Sequence, residues 1–240
     1  MKIITVDNYE ELSVKCAELI RDVVKSKPNA TLGLATGSTV LGAYACLCKM
    51  YANGQTSFKQ VKTVNLDEYV GLDGNNPQSY AYFMRKNLFD SLDIDKANTL
   101  IPSGVAPDLD AECKRYNDLL MRHPRDVQLL GLGSDGHIAF NEPGSTFDSR
   151  TRVVQLEQST IKDNARMFER IEDVPTSAIT MGIADIMSAR QVILVACGLG
   201  KAQAVRLMVH GEVDNSCPAS ILQTHPNVTV IVDKLAASLL

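Results

Sequence analysis

Val127-Gln128-Leu129-Leu130-Gly131-Leu132 runs directly into Gly133-Ser134-Asp135-Gly136-His137-Ile138-Ala139-Phe140-Asn141-Glu142-Pro143-Gly144. The first six residues form a short, near-continuous apolar run, which reads as a strand buried on both faces. The glycine-rich continuation reads as a loop at its carboxyl end. Working outward, the same pattern recurs. Upstream, Lys2–Val6, Thr31–Ala35, Val61–Leu66 and Asn98–Pro102 are predicted strands; downstream, Gln191–Cys197 and Val228–Asp233 are. A helix is expected after Asp7-Asn8, because Leu12, Cys16, Leu19, Ile20, Val23 and Val24 follow helical spacing before Pro28 stops it. Others are expected from Thr39 towards Gly54, and over Gln78–Asp90, Asp108–Met121 and Lys201–Val209. Such alternation predicts an α/β fold with a mainly parallel central sheet and helices on both faces.

Whole-chain properties narrow the function classes. The 240 residues hold no repeat, low-complexity tract or Gly/Ser linker, so one domain over 1–240 is expected, with the less regular residues 145–180 as a candidate lid. Net charge is −4 with no long basic run, which argues against a nucleic-acid partner. No apolar stretch approaches the roughly 20 residues of a spanning helix, which argues against a membrane partner. Cys16, Cys46, Cys48, Cys113, Cys197 and Cys217 include no C-x-x-C pair and mostly fall in apolar segments. They read as free thiols of a reducing compartment. The start, MKIITVDNYEEL, has acidic residues where a signal peptide needs an apolar core. A cytoplasmic protein is expected.

Gly37, Asp67, Asp135 and Lys201 each lie just past the carboxyl end of a predicted strand. Open α/β sheets place their ligand crevice at that edge. Thr36-Gly37-Ser38-Thr39 combines a turn-forming glycine with hydroxyls at a helix start, where free N–H groups favour a phosphate; an ordinary helix cap uses the same residues. In Asn65-Leu66-Asp67-Glu68-Tyr69 the adjacent carboxylates of an extended chain point to opposite sides, so Asp67 and Glu68 are not an acid/base pair. Asp135 and Glu142 flank His137, whose ordinary pKa of about 6.5 suits proton transfer near neutrality. A metal site is disfavoured, since His123, His210 and His225 sit in unrelated settings and no H-x-x-x-H or H-x-x-E spacing occurs. Lys201 opens a helix, a poor place for a cation unless an anion binds nearby. Arg166 falls in the candidate lid.

These residues also carry a resemblance. TLGLATGST, VNLDEYVGL, GLGSDGHIAFNEPGS, SAITMGIADIM, GLGKAQAV and PASILQTHPNVTVIVD, in that order, closely resemble the glucosamine-6-phosphate deaminase family over nearly the whole chain. The resemblance implies a Rossmann-like three-layer sandwich. It also implies conversion of glucosamine 6-phosphate to fructose 6-phosphate and ammonia without metal or organic cofactor. By motif position, Asp67 would move the proton between C2 and C1 through an enolamine. His137 would open the pyranose ring, with Asp135 and Glu142 tuning it. Thr36, Gly37, Ser38 and Thr39 would hold the substrate's phosphate end, with Lys201 and Arg166 as counter-charges. Val40 stands where the family usually has proline. Longer members carry a C-terminal extension tied to a hexamer and to activation by N-acetylglucosamine 6-phosphate, so self-association is left open here. The related 6-phosphogluconolactonases share a Gly-Asp-Gly-His-type loop, but Asn141-Glu142-Pro143 and Asn65-Leu66-Asp67-Glu68-Tyr69 favour the deaminase. A non-catalytic sugar-phosphate sensor would need a DNA-binding partner domain and could dispense with Asp67, His137 and Glu142.

Overall fold

In the computed structural model, which describes residues 1–165, 168 and 170–240, seven parallel strands form the central sheet. They are β1 (Lys2–Val6), β2 (Thr31–Leu34), β3 (Lys62–Asn65), β5 (Thr99–Leu100), β6 (Val127–Leu130), β9 (Val192–Ala196) and β10 (Val228–Asp233), in the order β1-β10-β9-β6-β2-β3-β5. Every residue of β2, β6, β9 and β10 is buried, so helices must cover both faces. The sheet is of the Rossmann-like kind. From β2 the chain steps through β3 to β5 at one edge; from β6 it steps through β9 to β10 towards the other. The loops leaving β2 and β6 therefore diverge, and the crevice between them is the topological switch point.

Local chemistry explains the helices. In α1 (Tyr9–Ser26) the Asn8 side chain accepts from the Glu11 amide, and Leu12, Cys16, Ala17, Ile20 and Val24 form the buried stripe. That stripe packs α1 against β9, β10 and α2 (Ser38–Ala52). In α4 (Leu109–Arg122) the Asp108 carboxylate caps the Ala111 amide. The expected helix over Gln78–Asp90 is shorter: α3 spans Tyr80–Asn87 and gives way to a 3-10 turn at Phe89–Ser91. A helix α6 (Ile183–Met187) and a helix α7 (Ala202–His210) complete the second half.

Two readings need correction. Asp67-Glu68-Tyr69 was expected to open a loop, but it is strand β4 (Asp67–Tyr69) of a second, antiparallel sheet ordered β4-β8-β7. The partner strands, β7 (Arg152–Gln155) and β8 (Ser177–Thr180), come from the segment expected to be irregular, which also holds α5 (Gln158–Ala165). The reason is register. Asp67 pairs with Thr180 and Tyr69 with Ala178, which buries Tyr69 in a small apolar cluster with Phe140, Leu156, Ile161, Val174 and Ala178. A three-residue strand has too little periodicity to be visible in sequence, and its stability comes from that long-range pairing.

Candidate active site

Four chain segments meet at the switch point around a cavity of about 200 Å³. From the end of β2 come Thr36, Gly37, Ser38 and Thr39; from the end of β3, Leu66 and Asp67; from the β6 loop, Gly131–Ser134, His137 and Phe140; and from the end of β9, Lys201. Gly37 adopts φ +105°, which L-side chains rarely adopt, and this turn presents the first amides of α2 to the cavity. Gly37, the N-cap residue, offers no capping side chain, so the helix start suits an anion. Lys201 closes the 3-10 turn Leu199–Lys201 and lines the same cavity, supplying positive charge to that wall.

The β6 loop is held in shape by polar pins. Asn141 is fully buried; its amide donates to Ile138 O and Met181 O at 2.9 Å each, and its Oδ1 accepts from Arg152 at 2.9 Å. The Phe140 amide donates to Thr180 Oγ1. Ala139 takes a left-handed conformation, φ 53°, a local strain that this pinning sustains. At Gly133 an added Cβ would lie 2.4 Å from the His137 ring, so the imidazole packs directly on the backbone.

His137 Nδ1 sits between two carboxylates, 2.7 Å from Asp135 Oδ1 and 3.3 Å from Glu142 Oε2. Both contacts are close enough for ion pairing with the imidazolium. Burial disfavours the charged ring, but the two acids outweigh it and lift the His137 pKa to about 9. Burial also works against the Asp135 carboxylate, yet His137 holds it well below the usual carboxylate range. Asp135 is the more exposed of the pair and Glu142 is buried, so the Glu142 contact is the better shielded from solvent.

Asp67 answers to different forces. Its burial, helped by the nearby Glu68 charge and opposed by His137, pushes its pKa up to about 8. Glu68 points away from the cavity, as the alternation of a strand requires. Its carboxylate accepts from the amides of Tyr69, Tyr80 and Ala81 at 2.9 Å each and thereby holds the start of α3. That contact sets Tyr80 on the cavity wall.

The structure thus brings Thr36, Gly37, Ser38, Thr39, Asp67, His137 and Lys201 to one cavity, with Asp135 and Glu142 behind the imidazole. Arg166 lies outside the described residues. Tyr80, Phe140 and Thr160 also line the cavity and were not anticipated. Only the capping role of Glu68 could have pointed to Tyr80; nothing local marks Thr160. The ligand atoms of Asp135, His137 and Glu142 lie within 4.8 Å of one another, so among the described residues this trio could hold a metal ion. The strong preference of His137 for a proton competes with that use.

Comparison with known proteins accords with this geometry. Residues 6–231 match the sequence model of the family described as glucosamine-6-phosphate isomerases/6-phosphogluconolactonase. The glucosamine-6-phosphate deaminase of Thermoanaerobacter pseudethanolicus is 47% identical over 241 aligned positions, covering 100% of this chain and 95% of that protein. The Bacillus cereus (strain B4264) glucosamine-6-phosphate deaminase is 52% identical, covering 100% of this chain and 89% of that one. A solved monomeric glucosamine-6-phosphate deaminase superposes with a TM-score of 0.98 at 45% identity, over 100% of both chains. The 6-phosphogluconolactonase of Trypanosoma brucei, 23% identical with a TM-score of 0.81, shares the fold. The chain belongs to the glucosamine-6-phosphate isomerase/6-phosphogluconolactonase family.

Proposed function

We propose that this protein converts glucosamine 6-phosphate and water to fructose 6-phosphate and ammonia, as an enzyme of amino-sugar catabolism in the cytoplasm. The observation that carries the reading is the placement of Asp67 and His137 on one cavity that the glycine-led start of α2 and Lys201 also line. The phosphate of the substrate would sit at Gly37, Ser38 and Thr39, with Thr36 and Lys201 beside it and Arg166 as a further counter-charge. Anchoring there leaves the reacting carbons to face the acids and the imidazole, so binding energy orients C1 and C2.

The steps follow from the two protonation states. His137, which retains a proton near neutrality, carries one proton from O1 to the ring oxygen O5, and the pyranose opens to the 2-amino aldehyde. Asp135 and Glu142 stabilise the imidazolium form. The Asp67 carboxylate removes the proton from C2 as O1 takes one from the His137 imidazolium, giving the enolamine; Asp67 then returns its proton to C1, and His137 regains one when water adds to C2. The resulting C2 imine takes up water and releases ammonia, leaving the ketone of fructose 6-phosphate. A carboxylate with its pKa pushed up to about 8 is a stronger base than an ordinary aspartate, which suits removal of a carbon-bound proton. No step calls for a metal or an organic cofactor.

Residues 1–240 act in this reading as one domain, and the 145–180 segment as a lid, to which Thr160 contributes wall. The test is an assay of ammonia and fructose 6-phosphate from glucosamine 6-phosphate, with and without a chelator. Equal rates in both are expected. Loss of activity on chelation would overturn the metal-free mechanism.

A further inference from the structure

Among the groups that the mechanism leaves unused, one hydroxyl touches a buried acid of the site. Thr160 Oγ1 donates to Glu142 Oε1 at 2.5 Å, across eighteen residues of chain, and both side chains are buried. Glu142 has one oxygen on Thr160 and the other 3.3 Å from His137 Nδ1. No other hydrogen bond holds the Glu142 carboxylate among the described residues. Fixing one carboxylate oxygen fixes where the second lies, so the Thr160 hydroxyl sets the Glu142–His137 separation. Thr160 itself is placed by α5, whose next residue, Ile161, docks into the small cluster with Tyr69 and Phe140.

Resting on the deaminase reading above, we infer that Thr160 is a positioning residue for the acid/base histidine: its hydroxyl holds Glu142 against His137, and the docking of α5 thereby governs ring opening. The hydroxyl is well suited to this. A charge-assisted O–H···O⁻ contact at this distance is short and strong, and burial shields it from competing water. The Asp135 contact is closer but more exposed, so it cannot hold the ring's charge alone at full strength. The other groups that bear on His137 are Asp67 from β4, Lys201 from the end of β9, and the Cys217 thiol, which packs on the neighbouring Gly136. None of them contacts Glu142 Oε1 among the described residues, so removing the hydroxyl isolates the Glu142 effect.

The experiment compares Thr160→Val, which keeps the shape and deletes the donor, with Thr160→Ser, which keeps the donor. The His137 resonance is followed by NMR titration of the free protein, assigned with His137→Gln, and kcat/KM is measured against pH. In Thr160→Val the His137 titration midpoint and the alkaline limb of the profile should both move to lower pH, with kcat/KM reduced about tenfold. The inhibition constant of inorganic phosphate should not move. Thr160→Ser should restore all three quantities. An unmoved His137 titration in a folded Thr160→Val protein would overturn the inference, as would failure of serine to rescue. If valine disturbs folding, Thr160→Ala with the same serine comparison decides. The titration needs no turnover, so an inactive wild-type protein would refute the deaminase reading separately.

Discussion

Replacing Asp67 with asparagine should stabilise the protein at neutral and alkaline pH while removing its chemistry. Asp67 is buried, and its pKa rises from 3.8 to about 8 through burial and the adjacent Glu68. Between those two values the native state binds a proton that the unfolded chain has released. Native stability must therefore fall as pH rises through this window, by at most about 1.4 kcal/mol per pH unit. Below pH 4 both states are protonated and the contribution vanishes; above pH 8 the full cost of the buried charge is present. Summed over the window, the ceiling is about 5–6 kcal/mol, and relaxation and water entry bring the expected value to about 2 kcal/mol. Asparagine is nearly isosteric and carries no charge. The melting temperature of Asp67→Asn should match wild type near pH 4 and exceed it by about 4–8 °C near pH 8, taking about 2–4 °C per kcal/mol for a chain of this size. Differential scanning calorimetry across pH 4–9 measures it. A gap that is constant with pH, or that reverses at high pH, would refute the account of Asp67 as a carboxylate held under strain for function.

Four further outcomes follow from the site. Asp67→Asn should lose solvent exchange at C2 of the bound sugar while still binding it; retained exchange by NMR would remove Asp67 from the role of base. For the wild type, kcat/KM should rise as Asp67 loses its proton near pH 8 and fall as His137 loses its own near pH 9, a narrow bell read from a pH–rate profile. Lys201→Met should raise KM for glucosamine 6-phosphate by about tenfold or more with a smaller change in kcat, since it removes charge from the anchoring wall; an unchanged KM would contradict that placement. Gly136→Ala should cost about 1–3 kcal/mol in denaturant unfolding and most of the activity, because Gly136 has φ +89° and an added Cβ would lie 2.5 Å from Cys217 Sγ.

The parts of this protein that were legible in its sequence are those governed by local periodicity. Continuous apolar runs such as Val228–Asp233 mark strands buried on both faces, and the expected bounds agree with those of β10. Asn8 and Asp108, each before an amphipathic stretch, mark helix starts. The convergence of Gly37, Asp67, Asp135 and Lys201 was legible for a topological reason, since parallel strands deliver their following loops to one edge; of these, Asp135 stands behind His137 rather than on the cavity wall. What stayed hidden depends on long-range pairing. Asp67–Tyr69 becomes a strand only because Ser177–Thr180, more than a hundred residues later, lies alongside it. Thr160 looks like any helix residue until α5 is docked, and only then does its hydroxyl meet Glu142. Tyr80 reaches the cavity because Glu68, which looks like a spare acid, caps the helix that carries it.

The central claim is that one cavity joins a buried carboxylate base to a proton-carrying histidine for deamination of a sugar phosphate. The most direct measurement incubates the purified protein with glucosamine 6-phosphate and, separately, with 6-phosphogluconolactone, and quantifies ammonia, fructose 6-phosphate and the hydrolysed lactone. The account predicts ammonia and fructose 6-phosphate in equal amounts, no comparable lactone hydrolysis, and loss of both products in Asp67→Asn. Lactone hydrolysis without ammonia release would contradict it.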